Sequence, residues 1–318
     1  MKKRLKWAYY AGWYILKQKI RPLKAVRYCR RPVLDNEKAA LELAGMIAGK
    51  EPFAAGRMGL SEAAVIRAGE FERKDKYATV INQLYEWSGF FPNEPELAVR
   101  FTELMREDYR QYDLIAANRQ LMESYFINRY TPKHCLIAKN LGLYDVYNLE
   151  EHWTKALSGK KVLVVTSFPE SVKKQYERRE EIYPGSDILP EFASLSVYKP
   201  LMTIGDMKDE RFSDWFEALE FMKNEILAMD FDIALLACGA YGFPLGAEIR
   251  RAGKQAVCMG GVLQILFGIM GRRWDGSRFG GPEHMPEKLK AYYSDAWIYP
   301  LEERPAAADG VEYGPYWK

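Results

Sequence analysis

With 318 residues, 48% of them hydrophobic, the chain is long enough for one large α/β domain or two smaller ones and too apolar for a mainly disordered protein. Four scattered cysteines (Cys29, Cys135, Cys238, Cys258), three histidines (His134, His152, His284) and no CxxC spacing argue against a disulfide framework and against a histidine-rich zinc site. Residues 1–32 hold eleven Lys and Arg and no acid, leaving 35 bases against 43 acids for the rest, and an acidic body argues against nucleic acid as a partner.

Residues 1–34 therefore read as a separate basic segment, in which bases flank a run holding Trp7, Tyr9, Tyr10, Trp13 and Tyr14. Its apolar run, residues 7–16, is about half the length of a bilayer span and lacks a small-residue cleavage site. Two readings stay open. The segment lies on an anionic membrane face, or it packs its aromatic stripe on the body and solvates its bases. A cytoplasmic protein, peripheral at the inner face of the membrane, is the corresponding location.

Residues 35–318 read as one α/β domain. Residues 37–48 have helical periodicity, residues 53–55 form a short strand, and residues 56–59 a turn, with Ser61 as the N-cap of a helix that carries Glu62 in its first turn. Arg57 and Glu62 would project near the strand's end, which makes them site candidates beside the plainer readings of a surface ion pair and a macrodipole-favoured acid. Residues 75–150 are helical and rich in aromatics, and read as a helical insertion between sheet segments.

Residues 162–166 are a strongly apolar strand, followed by Ser167, Phe168, Pro169, Glu170 and a polar helix. There Lys173, Lys174, Arg178 and Arg179 would either reach a phosphate or pair with Glu177, Glu180 and Glu181 on a solvated face. Residues 192–198 suit another strand and residues 214–229 an amphipathic helix. Residues 232–238 then form a strand that ends in an unbroken apolar run and turns at Gly239 and Gly242 into a short helix over residues 244–252, stopped by Gly253. Residues 256–259 are the next strand, running into Gly260 and Gly261. This is the outline of a right-handed βαβ unit in a Rossmann-like, mostly parallel sheet, whose ligands bind beyond the carboxyl ends of the strands. From Gly268 the chain reads as a basic, glycine-rich loop, then a last short strand at residues 297–299 and an irregular tail laid across the body.

Five motifs carry a resemblance: GRMGLSE (residues 56–62), FPESVKKQYERRE (168–180), CGAYGFPL (238–245), GGVLQILFGIMGRRWD (260–275) and YGPYW (313–317). In this order they resemble bacterial proteins found with surface-polysaccharide and capsule gene sets, over residues 50–70 and 155–318. The same skeleton is more distantly similar to the GT-D class of glycosyltransferases, which have a Rossmann-like fold and an R-F-G-D-G-E motif whose two acids hold a divalent metal beside a nucleotide sugar. Here Glu62 matches the second acid, Leu60 replaces the first, and Thr166 and Cys258 stand where relatives often carry histidine.

The resemblance implies a nucleotide sugar as donor, a glycan or lipid-linked acceptor, and Mn²⁺ or Mg²⁺ as cofactor. Loss of an acid at Leu60 removes an oxygen ligand that a hard cation normally needs. Glu62 would act as general base or as the remaining metal ligand. Arg57 and the amides of Ala240, Tyr241 and Gly242 would hold the diphosphate, with Gly59, Ser167, Glu170, Gly239, Gly260 and Gly261 around it. Tyr241 would stack on the base or sugar, and Gln264 would bond hydroxyls. The alternative is a catalytically degenerate binding or scaffold subunit of a glycan-assembly complex. A methyltransferase or a nucleotide-dependent dehydrogenase is disfavoured, because Gly239-Ala240-Tyr241-Gly242 lacks the G-x-G-x-x-G spacing.

Overall fold

A computed structural model describes residues 5–9, 12, 27–28, 31–205, 207, 209–277, 281–305, 308–309, 314 and 316–318. Seven parallel strands build one sheet: β1 (Phe53–Gly56), β2 (Leu114–Ala116), β3 (Leu136–Ala138), β4 (Lys161–Thr166), β5 (Ser194–Tyr198), β6 (Ile233–Ala237) and β7 (Gln255–Cys258). Their spatial order is β3-β2-β1-β7-β6-β4-β5. The helices that matter here are α1 (Asn36–Ala48), α2 (Leu60–Glu70), α3 (Tyr77–Ser88), α4 (Leu97–Tyr109), α5 (Glu123–Tyr130), α6 (Pro169–Glu177), α7 (Trp215–Leu227) and α8 (Gly242–Arg251).

The unbroken apolar strands follow from burial on both faces. Val162, Val164, Ile233, Leu235 and Val257 face a core shared with α1 and α6. Leu163, Val165, Ala234, Leu236 and Ala256 face the opposite core, shared with α2–α5, α7 and α8. From β4 the chain runs through α6 to the edge strand β5, whereas from β6 it runs through α8 to β7 on the other side. Neighbouring β4 and β6 thus send their connections in opposite directions, and a crevice opens beyond their carboxyl ends.

Several expectations change. Residues 75–150 are not wholly helical: besides α3–α5 they supply β2 and β3, paired Leu114 to Leu136, Ile115 to Ile137 and Ala116 to Ala138. The N-cap of α2 is Gly59, and Ser61 lies inside the first turn. After β6 a 3₁₀ turn (Gly239–Tyr241) precedes α8, which starts at Gly242 and places Pro244 third. The stop at Gly253 holds, its N–H donating to the Arg250 carbonyl at 3.0 Å. The polar helix ends at Glu177, followed by a single turn, Arg179–Ile182.

The basic stretch after Gly268 is anchored, with Ile269, Met270 and Trp274 buried and Ile269 bridging Ile298 in parallel. Of the basic leader, Trp7 rests on the body, its ring 5.5 Å from that of Phe71, and the Arg73 guanidinium lies 5.5 Å from the Trp7 ring. Leu5 and Tyr9 are exposed. Tyr10, Trp13 and Tyr14 lie outside the described residues.

Candidate functional site

The carboxyl ends of β1, β4, β6 and β7 form the floor of a cleft of about 1340 Å³, counted to its solvent-open mouth. Arg57, Gly59 and Glu62 enter from β1 and α2, Ser167 from β4, Gly239, Tyr241 and Gly242 from β6, and Gly260, Gly261 and Gln264 from β7. The strand-glycine-helix pattern therefore brings most of the expected residues together. Two are exceptions. Ala240 is buried in the apolar core, and Glu170 is exposed on α6, paired with Lys173 at 2.9 Å; neither lines the cleft.

The walls come from segments whose sequence pattern did not announce them. One is the end of α3, with Trp87, Ser88 and Gly89; another is the strap of residues 200–204; the third is Tyr316 and Trp317. Only the YGPYW motif signalled any of them in advance, and it did so through resemblance. Trp317 packs edge-on to Phe168 at 5.1 Å, and its carbonyl accepts from the Arg272 amide at 3.1 Å. The Tyr316 ring lies so close on Gly261 that any side chain there would collide with it.

Glu62 is buried and folds back over its own N-cap, where a Cβ on Gly59 would strike its carboxylate. The Ser61 hydroxyl donates to Glu62 Oε2 at 2.8 Å and lies 2.6 Å from the Ser88 hydroxyl, so two side-chain hydroxyls and a carboxylate form one relay. Arg57 is half-buried against the next turn: a Cβ at Gly260 would come within 2.6 Å of its Nη2. Among the described residues it forms no ion pair, which leaves its guanidinium available to an anion.

The glycine turn after β6 differs from expectation. The Tyr241 amide donates to the Cys238 carbonyl at 3.2 Å and the Gly242 amide to the Gly239 carbonyl, so both donors are spent inside the 3₁₀ turn. Tyr241 does not offer its ring as a free platform. It stacks on Trp215 at 4.9 Å, and its hydroxyl lies 2.9 Å from Thr203 Oγ1, which donates to the Gly89 carbonyl at 2.5 Å. Its role is to clamp the strap onto α3.

The N-terminus of α6 is likewise occupied from within. The Glu302 carboxylate accepts from the Glu170 and Ser171 amides at 2.8 and 3.0 Å and from the Ser171 hydroxyl at 2.5 Å. That removes a phosphate site expected beside Lys173 and Lys174. Gln264 is buried, its amide nitrogen donating to the carbonyls of Ile269 and Tyr316 at 3.2 and 3.4 Å, while its Oε1 has no partner.

Burial pushes the Cys258 thiol up to about 12 and raises Cys238 as well, so neither lining cysteine is a thiolate nucleophile near neutral pH. Cys258 instead donates to the Gly242 carbonyl at 3.0 Å and sits 3.2 Å from the Tyr112 hydroxyl. The donor set does not fit a protein-held Mn²⁺ or Mg²⁺. Leu60 is apolar, Glu170 points elsewhere, and no group of three His, Cys, Asp or Glu side chains converges among the described residues.

Compared with protein-family models, curated proteins and solved structures, the chain matches none.

Proposed function

We propose that the cleft binds a nucleotide sugar and that the chain transfers the sugar to a hydroxyl of a glycan or lipid-linked acceptor, in the surface-polysaccharide setting that its motifs resemble. The observation that carries this reading is the pairing, in one cleft at the sheet's crevice, of the unpaired Arg57 guanidinium with the hydroxyl-bonded Glu62 carboxylate. In the transfer, the acceptor oxygen bonds to the anomeric carbon while the bond from that carbon to the diphosphate breaks. The electron pair leaves on the diphosphate, whose growing charge Arg57 stabilises. Glu62 takes the acceptor's proton, with Ser61 and Ser88 holding the carboxylate and the incoming hydroxyl in line. The unpartnered Gln264 Oε1 suits a donor hydroxyl of the ribose or sugar.

The test is thermal stabilisation across a panel of nucleotides and nucleotide sugars, followed by a transfer assay with the stabilising donor. A ligand at a hundred times its dissociation constant adds about 2.7 kcal/mol. Arg57→Ala should abolish the shift, whereas Glu62→Gln should keep it and lower turnover by about a hundredfold. If no nucleotide sugar stabilises the chain, or the Arg57→Ala, Glu62→Gln pair transfers normally, the reading fails.

A binding subunit without turnover is the second reading, favoured by Leu60, which stands 56% exposed at the first position of α2 where the related enzymes carry an acid. Donor binding without transfer, together with a co-purifying glycan-assembly partner, would select it.

A further inference from the structure

Among the described residues, six aromatic side chains line the cleft: Trp87, Phe168, Tyr241, Phe243, Tyr316 and Trp317. Five of them are engaged with other rings. Phe168 meets Trp317 at 5.1 Å, Tyr241 stacks on Trp215 at 4.9 Å, Phe243 stacks on Tyr112 at 3.9 Å, and Tyr316 lies 6.1 Å from Trp274. Trp87 contacts no ring and no cation among the described residues and stays 41% exposed. Leaving so large an apolar side chain open to water forgoes the burial its neighbours obtain, which makes a bare indole in a cleft informative.

The backbone beneath that indole is held on both sides. Trp87 stands in the last turn of α3, between the Tyr85 carbonyl, which accepts from the Gly205 amide at 3.2 Å, and the Gly89 carbonyl, which accepts from Thr203 Oγ1 at 2.5 Å. Its neighbour Ser88 holds Ser61 and, through it, Glu62, whose Oε1 accepts no hydrogen bond among the described residues. The lining residues that α3 and the strap supply include no Lys, Arg or His, so this wall offers no charge to a diphosphate. It offers an indole face, the apolar strap residues Leu201 and Met202, and a carboxylate with two serine hydroxyls beside them.

A pyranose ring matches that combination. One face of the ring is a patch of C–H groups, attracted to the electron-rich face of an indole, and its rim is a set of hydroxyls that a carboxylate accepts. A nucleobase would stack equally well, but the side-chain amide suited to its edge, Gln264, is bonded to the Tyr316 carbonyl in another wall. We propose that Trp87 is the platform for a sugar ring of the acceptor, seated with its reacting hydroxyl toward Glu62. Calling that ring the acceptor rests on the proposed transfer, whereas carbohydrate binding at Trp87 does not depend on it.

Fluorine NMR of the full chain carrying fluorotryptophan, titrated without any donor, tests it, with Trp87→Phe identifying the Trp87 resonance by its loss. The probes are oligosaccharides of hexoses, 6-deoxyhexoses and N-acetylhexosamines and, separately, free nucleosides. At least one oligosaccharide should move the Trp87 resonance, and no nucleoside should. In calorimetry Trp87→Ala should weaken that oligosaccharide's binding by about tenfold and Trp87→Tyr by less. The ligand-free Trp87→Ala chain should melt with the natural one, because an exposed indole contributes little burial. No response to any oligosaccharide, a nucleoside moving the resonance instead, or undiminished binding in Trp87→Ala would overturn the platform. A chain that a nucleotide sugar stabilises and that transfers sugar, yet whose Trp87 ignores oligosaccharides, keeps the proposed function and loses this inference. One whose Trp87 binds an oligosaccharide while no nucleotide sugar stabilises it does the reverse.

Discussion

Gly239 satisfies two demands at once: its φ of +56° lies in the left-handed region, and a Cβ there would stand 2.9 Å from the Ser88 carbonyl oxygen. Gly239→Ala should therefore destabilise the fold by about 1–3 kcal/mol in urea unfolding, and it should loosen the end of α3 that carries Ser88. Asp108 supplies a pH signature. Burial raises its carboxyl to about 7 despite the Arg251 guanidinium at 2.9 Å, whereas an unfolded aspartate titrates near about 3.9. The folded state thus holds the extra proton between those values, and the stability this group contributes is full below about 4 and lost as pH rises through about 7. Melting temperatures between pH 4 and 7 should fall less steeply in Asp108→Asn than in the natural chain.

Arg57 and Glu62 were legible because a strand, a glycine turn and a helix in sequence place their residues at a sheet edge. Ser61 was misread because residue type alone favours a serine cap, while the room that Glu62 needs over Gly59 is a three-dimensional requirement. Tyr241 takes its role from Trp215 and Thr203, distant in sequence, and no local pattern encodes such partners.

At the scale of elements, β4, β6 and β7 could be read from their apolar runs, since strands covered on both faces show no alternation. β2 and β3 could not. Each is the three-residue sequence Leu-Ile-Ala, too short to show a period and set among helices whose periodicity dominates the window. α6 shows the reverse case, in which the helix was foreseen and its partner was not. Glu302, more than 120 residues away in sequence, provides the carboxylate that caps it. Glu302→Ala leaves those first-turn amides without an acceptor and should cost about 1–2 kcal/mol in denaturant unfolding. Because the segment that follows leads to Tyr316 and Trp317, ligand affinity should fall in the same variant; unchanged affinity would show that the cleft wall holds without the cap.

For the molecule as a whole, the described helices include none long and apolar enough to cross a membrane. The sheet is made of two sequence-continuous halves, β1–β3 and β4–β7, that among the described residues pair with each other along Phe53–Ala55 and Gln255–Val257. Arg57 and Glu62 belong to the first half, while the glycine turns, Gln264 and Tyr316 belong to the second. A ligand in the cleft is consequently a bridge across the seam, and its binding energy must appear as affinity of one half for the other. Two separately produced polypeptides, divided at the exposed Ser158–Gly159 connection between β3 and β4, should therefore reassemble more tightly when diphosphate or a nucleotide sugar is added. The chain would then behave as a ligand-dependent heterodimer whose subunits happen to share a backbone.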